Sequence, residues 1–135
     1  MPVRTFLALD VGERRVGMAL GDSQVRIAVP FGYLERSDDI VQQIAEIILQ
    51  HNVRTIVAGY PRNQSGEPTK QTELVEKFVE QLAEIDIEAD IVFQDESLTS
   101  VEAERRLGRV KDKGEIDAEA ASIILQDYLE QEYAN

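Results

Sequence analysis

The apolar residues of this chain recur with two different periods, and the order of those periods along the chain constrains the fold. Three short apolar runs come first, at residues 5–9, 16–20 and 25–33, with turn residues between them. Such runs are typical of antiparallel strands that are joined by hairpins. Pro30 suggests an irregularity or an edge position in the third run, because proline cannot donate a ladder hydrogen bond. We therefore predict a three-stranded meander at the start of the chain.

The rest of the chain alternates between helical and strand periods. The first predicted helix follows Ser37 as N-cap and ends at Asn52, and the second carries residues 74–85. A third helix starts at the Thr99–Glu102 capping box and runs to about Leu107. The last helix runs from near Ile116 to about Tyr133. Apolar runs at 55–59 and 87–93 predict two further strands. Strands that are separated by single helices pair in parallel through right-handed crossovers. The sequence therefore predicts an α/β fold over residues 1–135 as one domain. Its mixed five-stranded sheet has three antiparallel strands and then parallel strands, with helices at its flanks and the first strand near the centre.

Size and composition exclude several classes of protein. The 135 residues are 43% apolar and 30% charged, which is typical of a globular domain rather than a disordered chain. The absence of cysteine excludes disulfides and thiolate metal sites. No segment has the length of a membrane span or the apolar stretch of a signal peptide. We therefore expect a soluble, cytoplasmic protein without a membrane partner.

The charge of the chain is segregated. Its formal net charge is −12, which by itself argues against nucleic acid as a partner. Residues 105–113, however, carry five positive charges and one negative charge, a local +4 that leaves −16 on the remainder. The positive residues of this basic segment are Arg105, Arg106, Arg109, Lys111 and Lys113. The segment is either a solvated loop or a surface that neutralises backbone phosphate.

Three acidic residues lie at the tips of predicted elements. Asp10 follows the first strand, Glu96 follows the run at 87–93, and Asp117 begins the last helix. Taken singly, each has a simple structural explanation, such as a turn or a helix dipole. Ligands of open sheets bind at the carboxyl edge of the strands, where Asp10 and Glu96 would lie. Buried carboxylates must be paired or bind a cation, and three that converge form a hard-oxygen site for Mg²⁺ or Mn²⁺. Next to a basic segment, such a site predicts phosphodiester hydrolysis.

Other residues near this edge could contact the substrate. Because successive side chains of a strand alternate, at most one of Asp95 and Glu96 is expected to point into the site. Arg14 and Arg15 lie at the tip of the first hairpin, within reach of a phosphate. The polar loop that follows the fourth strand carries three further candidate phosphate contacts, namely Arg62, Asn63 and Lys70.

Three segments of the chain carry a family resemblance. They are Asp10-Val11-Gly12-x-x-x-Val16-Gly17, Asp95-Glu96-x-x-Thr99-Ser100-x-Glu102-Ala103 and Asp117-x-x-Ala120-Ala121-x-x-Ile124-Leu125-Gln126. In this order they resemble the YqgF family, also called RuvX. The resemblance implies an RNase H-like fold and a nuclease that processes the 5′ end of the small-subunit ribosomal RNA precursor, pre-16S rRNA, during ribosome biogenesis. It also implies that Asp10, Glu96 and Asp117 are catalytic acids that bind the metal.

The chain departs from the usual family pattern at three places. It has Gly59-Tyr60-Pro61 where the family usually has Gly-Leu-Pro, and Asn63-Gln64-Ser65-Gly66 in place of Asn-x-Asp-Gly. It also has Gly21-Asp22 where the family commonly has Ser-Asp. All three acids are retained, so these departures concern only the contacts with substrate.

Alternative functions stay open at this stage. Cleavage of branched DNA by a Holliday junction resolvase would use the same site, and nothing in the sequence reports a contact to a 2′-hydroxyl. A nucleic-acid-binding module without activity would be expected to have lost its acids. The Asp-x-Gly hairpin also resembles the phosphate-binding loop of actin-like and sugar-kinase-like ATPases, but this chain is too short for their two large domains. The sequence does not fix the oligomeric state, the preferred metal, or endonuclease against exonuclease action.

Overall fold

The computed structural model contains one mixed sheet with the strand order β3-β2-β1-β4-β5. It describes residues 2–61, 65, 67–96, 103, 105–108 and 112–134. The strands are β1 (Thr5–Val11), β2 (Arg15–Asp22), β3 (Val29–Glu35), β4 (Val53–Pro61) and β5 (Asp90–Glu96). The helices are α1 (Ile40–Gln50), α2 (Lys70–Glu84) and α3 (Lys113–Glu132).

Strand pairing confirms the predicted mixed topology. β1 pairs antiparallel with β2, and β2 pairs antiparallel with β3. β1 also pairs parallel with β4, which in turn pairs parallel with β5. The first strand is therefore the central one, and the carboxyl ends of β1, β4 and β5 meet at one edge of the sheet.

The two faces of the sheet bury different helices. Leu7 and Leu9 of β1 pack in the cluster that holds the buried residues of α1 and α2. Phe6 and Ala8 point to the opposite face and pack in the cluster that holds the buried residues of α3. Because side chains alternate along a strand, Asp10 lies on the same face as Phe6 and Ala8. The candidate site is thus on the face that α3 covers.

The third strand is shorter than predicted. It begins at Val29, although the apolar run begins at Val25. The Oδ1 of Asp22 accepts hydrogen bonds from the backbone N–H groups of Gln24 and Val25, and Arg26 has a left-handed backbone with φ of 63°. These features turn the chain before it can extend. The expected edge position is confirmed, because β3 is an outer strand of the sheet.

Two strands extend further toward the site than the sequence indicated. β5 runs from Asp90 to Glu96 because it pairs with β4 from Thr55 to Pro61, so the prediction of a strand over 87–93 is shifted by three residues. β1 continues to Val11. As a result, Asp10 and Glu96 belong to β1 and β5 themselves and take part in the pairing with the neighbouring strands.

Both predicted helix starts that fall on described residues were wrong by a few positions. The N-cap of α1 is Asp39 rather than Ser37. α3 begins at Lys113 because the Oδ1 of Asp112 accepts a hydrogen bond of 2.8 Å from the backbone N–H of Glu115. Asp117 therefore lies in the second turn of α3, where the helix dipole explains its position less well than it would in the first turn.

One predicted helix can be followed only in part. Its capping box at Thr99 and Glu102 lies outside the described residues, whereas residues 105–107 are helical. In the part of the chain that the structure describes, no helix is long and apolar enough to cross a membrane.

Candidate active site

Asp10 lies between two strand positions that have no side chain. It pairs with Gly17 of β2, and the pairing of Leu9 with Ala58 brings Gly59 of β4 next to it on the other side. Glycine inside a strand often marks the close approach of another group. The sheet therefore leaves space on both sides of the Asp10 carboxylate, on the face that α3 covers.

The carboxylate of Glu96 occupies the space above Gly59. A Cβ atom at position 59 would overlap the Oε2 of Glu96 and would lie 2.6 Å from the Cδ1 of Ile124. Since β4 lies between β5 and β1, this places the Glu96 carboxylate toward Asp10. Asp95 is exposed. The prediction that at most one residue of this pair faces the site is thereby confirmed.

Asp117 reaches the site because α3 rests directly on β2. A Cβ atom at Gly17 would overlap the backbone carbonyl of Asp117 and lie 2.8 Å from the backbone nitrogen of Ala118. One turn earlier, a Cβ atom at Gly114 would overlap the ring of Tyr33 on β3. The absence of a side chain at Gly17 and at Gly114 thus allows the start of α3 to pack closely against the sheet beside Asp10.

Arg15 forms an ion pair with Asp117. The Nε of Arg15 donates to the Oδ2 of Asp117 at 3.0 Å, and their side chains are 19% and 26% exposed. The pair is partly buried and joins the start of β2 to α3. Partial burial makes it less screened by solvent than a surface ion pair.

The electrostatics of the three acids reflect burial and mutual repulsion. Burial, followed by the charges of Glu96 and Asp117, raises the pKa of Asp10 from 3.8 to about 8. Burial raises the pKa of Glu96 from 4.5 to about 7. Burial also raises the pKa of Asp117, but the hydrogen bond and charge of Arg15 and the charge of Lys113 oppose that shift. Asp10 and Glu96 are therefore two neighbouring carboxyls that lack sufficient positive charge.

The donor set fits a hard divalent cation, although the three acids are not gathered as a complete cage. The Oε2 of Glu96 is buried and has no hydrogen-bond partner among the described residues. Within the same residues, no group of three or more His, Cys, Asp or Glu side chains is close enough to hold one ion. Asp10 and Glu96 supply oxygen ligands of the kind that Mg²⁺ and Mn²⁺ prefer. Asp117 lies beside them, paired with Arg15.

The residues predicted to bind nucleic acid have different positions. Arg14, Lys70, Arg105, Arg106 and Lys113 are exposed, and Arg15 is half-buried. The Nη1 of Arg106 lies 3.6 Å from the Oε1 of Glu119. Four of the predicted contacts, Arg62, Asn63, Arg109 and Lys111, lie outside the described residues. The described cations therefore lie at the tip of the first hairpin, at the start of α2, and before and at the start of α3.

Sequence reasoning missed two features of the site. The sequence placed Gly59 at the end of a strand and gave it no role in the site. A glycine inside a strand often marks the close approach of another group, and this is the signal that could have revealed the contact with Glu96. Gln71 at the start of α2 carried no signal, yet its Nε2 donates to the backbone carbonyl of Val11 at 2.7 Å. This contact ties α2 to the end of β1, next to Asp10.

Solved structures with similar folds include two resolvases. "T. thermophilus RuvC in complex with Holliday junction substrate" has a TM-score of 0.58 at 13% identity and covers 97% of this chain and 96% of that one. "Crystal structure of Fowlpox virus resolvase and substrate Holliday junction DNA complex" has a TM-score of 0.57 at 9% identity, with 96% and 99% covered. At these identities the likeness shows the fold alone, and it confirms the predicted RNase H-like class.

Sequence relatives define the family. A protein of Chloroflexus aggregans named "Putative pre-16S rRNA nuclease" is 40% identical over 137 residues, which cover 96% of each chain. A protein of Synechocystis with the same name is 39% identical over 131 residues, with 92% of this chain and 86% of that protein covered. The sequence model of the family described as "RuvX: Holliday junction resolvase" matches residues 4–131. The chain therefore belongs to the RuvX family of Holliday junction resolvase-like nucleases.

Proposed function

We propose that this chain is a divalent-metal-dependent nuclease that hydrolyses phosphodiester bonds in the 5′-end processing of pre-16S rRNA. One observation carries the proposal. Asp10 and Glu96 lie half-buried side by side at the carboxyl edge of the sheet with raised pKa values, and one buried oxygen of Glu96 has no hydrogen-bond partner among the described residues. Buried carboxyls with raised pKa values in this position are typical of functional sites rather than of core packing.

Each of the three acids would have a defined task. Asp10 and Glu96 would hold the cation through carboxylate oxygens, and Asp117 would complete the set from α3. A divalent ion bound there supplies Lewis-acid chemistry, which activates water and stabilises the leaving oxygen. The ladders of β1 and β5 keep the first two carboxylates fixed, so little reorganisation is needed when the substrate arrives. The side chain of Ile124 lies beside Glu96 and limits the access of water from the side of α3.

The cations around this edge would bind the substrate backbone. Exposed Arg14 and Lys70 flank the site from the first hairpin and from α2, and the basic segment adds Arg105, Arg106 and Lys113. We propose the same role, contact with the substrate backbone, for Arg62, Asn63, Arg109 and Lys111. A chain with a net charge of −12 needs such local positive charge to approach a polyanion. In this function, residues 1–135 form one nuclease domain that acts in the cytoplasm, where ribosomal RNA precursors are processed.

The test is a cleavage assay with two substrates. Precursor 16S ribosomal RNA and a four-way DNA junction are each offered with Mg²⁺ or Mn²⁺ to the wild type, Asp10→Asn and Asp95→Asn. We expect cleavage of the RNA by the wild type and a loss of about 100-fold or more in Asp10→Asn, as when a metal ligand is removed. Asp95→Asn makes the same chemical change one residue before Glu96, at an exposed side chain, and should retain activity.

The other outcomes identify the competing functions. Preferential cleavage of the junction would favour a Holliday junction resolvase, in line with the description of the family. Binding of either substrate without cleavage under any metal condition would favour a module that binds nucleic acid without activity. Equal cleavage by the wild type and Asp10→Asn would refute the assignment of the site.

A further inference from the structure

The partner that Asp117 has in this structure restricts how it can serve a cation. Its Oδ2 accepts the hydrogen bond of Arg15 at 3.0 Å, so one of its two oxygens is occupied by a guanidinium. Among the described residues, Asp10 and Glu96 form no ion pair with a cation, and the Oε2 of Glu96 has no hydrogen-bond partner. The three acids therefore differ in charge compensation, because the guanidinium of Arg15 neutralises Asp117 and not Asp10 or Glu96.

The position of Arg15 gives its guanidinium access to a second partner. Arg15 is the first residue of β2, directly after the exposed Arg14 at the hairpin tip, and 19% of its side chain remains exposed. Because Asp117 is contacted through the Nε, the Nη groups of the planar fork could donate to a second acceptor. Guanidinium groups bind phosphate with a planar, often bidentate geometry. A phosphodiester that reaches this edge would therefore compete with Asp117 for Arg15.

The charge at the edge makes this competition consequential. Among the described residues, the Arg15 guanidinium is paired with Asp117, and the three acids are not close enough together to hold one ion as a group. Transfer of Arg15 to a phosphate would free Asp117 to turn toward Asp10 and Glu96. The same transfer would leave Asp117 without a cation, so a divalent ion would become its best available partner.

We propose that Arg15 is a positioning residue that holds Asp117 in an ion pair until a phosphodiester of the substrate takes over its guanidinium, so that nucleic acid and the divalent cation bind cooperatively. This inference rests on the proposed function and adds to it an order of assembly. Because coupling between two ligands is reciprocal, the cation also tightens nucleic-acid binding by the same factor. Free protein would then hold its cation weakly, and the complete site would form on the substrate.

The experiment measures Mn²⁺ binding to the full chain by calorimetry, with and without a fragment of precursor 16S ribosomal RNA. Each binding value is taken on samples in which a denaturing gel shows the RNA intact. The proteins compared are the wild type, Arg15→Gln and Arg15→Lys, with Arg54→Gln as a matched control. Arg54 is also paired with an acid, Glu88 at 3.2 Å, but it lies at the amino end of β4, opposite the candidate site. Thermal unfolding of each variant is recorded to show that it is folded.

We expect RNA to tighten Mn²⁺ binding of the wild type by about 5-fold or more, the usual lower range of coupling between sites. Arg15→Gln should bind Mn²⁺ at least as tightly as the wild type in the absence of RNA, and RNA should change that affinity by less than about 2-fold. Arg15→Lys keeps the charge without the planar fork and should retain part of the coupling. Arg54→Gln should keep the coupling of the wild type.

Two results would overturn the inference. In the first, Arg15→Gln shows the same ratio of affinities as the wild type, with a change only in thermal stability; Arg15 would then be structural. In the second, Arg15→Gln binds Mn²⁺ more weakly without RNA, as expected if the ion pair helps to build the metal site. Asp10→Asn separates this failure from failure of the proposed function. If Asp10→Asn loses Mn²⁺ binding, the proposed metal site is supported whatever the result for Arg15. If Asp10→Asn binds Mn²⁺ as the wild type does, both the metal site and the role of Arg15 are refuted.

Discussion

The carboxylate of Glu96 fills the place that a side chain at position 59 would need. A Cβ atom on Gly59 would overlap the Oε2 of Glu96, and no substitution at this position can avoid that atom without moving it. The contact joins β4 to the end of β5 at the carboxyl edge of the sheet, where the candidate site lies. It makes the orientation of an acid on β5 depend on the absence of a side chain on β4.

We expect Gly59→Ala to displace the Glu96 carboxylate and impair the site more than the fold. The clashing atoms are the ends of two side chains, those of Glu96 and Ile124, which can move. The free energy of unfolding should therefore fall by only about 1 kcal/mol, the low end for overpacking. Urea denaturation measures this loss, and calorimetry measures the accompanying loss of Mn²⁺ affinity. Unchanged Mn²⁺ affinity in a folded Gly59→Ala protein would contradict the role given to this contact.

Gly17→Ala should be the more damaging substitution for stability. The added methyl group would overlap the backbone of Asp117 and Ala118, which cannot move unless all of α3 shifts. We expect a loss of about 3 kcal/mol, at the high end for overpacking, in urea denaturation. Gly21→Ala is the control on the same strand, because its nearest contacts are at 3.2 Å and include the flexible end of Leu125. A smaller loss for Gly17→Ala than for Gly21→Ala would show that α3 does not rest on β2 in solution as described.

Much of the fold could be predicted from the sequence because apolar periodicity reports which residues are buried. The central position of β1 followed from the crossover rule, and the pairing of β1 with β4 confirms it. The start of β3 could not be predicted, because the left-handed backbone at Arg26 and the side-chain acceptor on Asp22 leave no trace in the apolar pattern. The three-residue shift of β5 has a similar cause. Ile87 packs against the core without joining the ladder, and periodicity does not separate these two states.

The part of the candidate site that could be predicted is the part where a charged residue stands in an apolar segment, because burying a charge is costly. Carboxylates at the tips of apolar strands stand out in a sequence, and Asp10 and Glu96 are indeed neighbours at one edge. The ion pair between Arg15 and Asp117 was not predictable, because it joins residues 102 positions apart and an arginine at a hairpin tip is usually exposed. The way in which α3 reaches the sheet through Gly17 likewise depends on backbone packing rather than on side-chain type.

Replacing Asp10 should stabilise the metal-free protein at high pH. The folded state raises the pKa of Asp10 to about 8 from an ordinary value of 3.8, so it binds the proton more tightly than the unfolded state does. The free energy of unfolding should therefore fall as the pH rises from about 4 to about 8. Asp10→Asn lacks this titration, and at pH 8 in EDTA it should be more stable than the wild type by about 1–3 kcal/mol.

The comparison needs two pH values and one control. Urea denaturation at pH 4 should give nearly equal stabilities for the wild type and Asp10→Asn. At this pH the carboxyl is protonated in the folded state and, with its ordinary pKa of 3.8, still about half protonated in the unfolded state. Asp95→Asn, at an exposed position, should differ little from the wild type at pH 8. If Asp10→Asn proves less stable than the wild type at pH 8, the carboxylate does not have the repulsive surroundings described for it.

The divalent cation should bind more tightly as the pH rises, because it must displace protons from the site. Burial raises the pKa values of Asp10 and Glu96 to about 8 and about 7, so both acids are largely protonated at pH 6. Each proton released on binding gives up to about a 10-fold change in affinity per pH unit. We expect the Mn²⁺ affinity of the wild type, measured by calorimetry, to increase at least about 10-fold between pH 6 and pH 8. Asp95→Asn should show the same dependence and Asp10→Asn a weaker one, and a pH-independent affinity in the wild type would mean that the ion binds elsewhere.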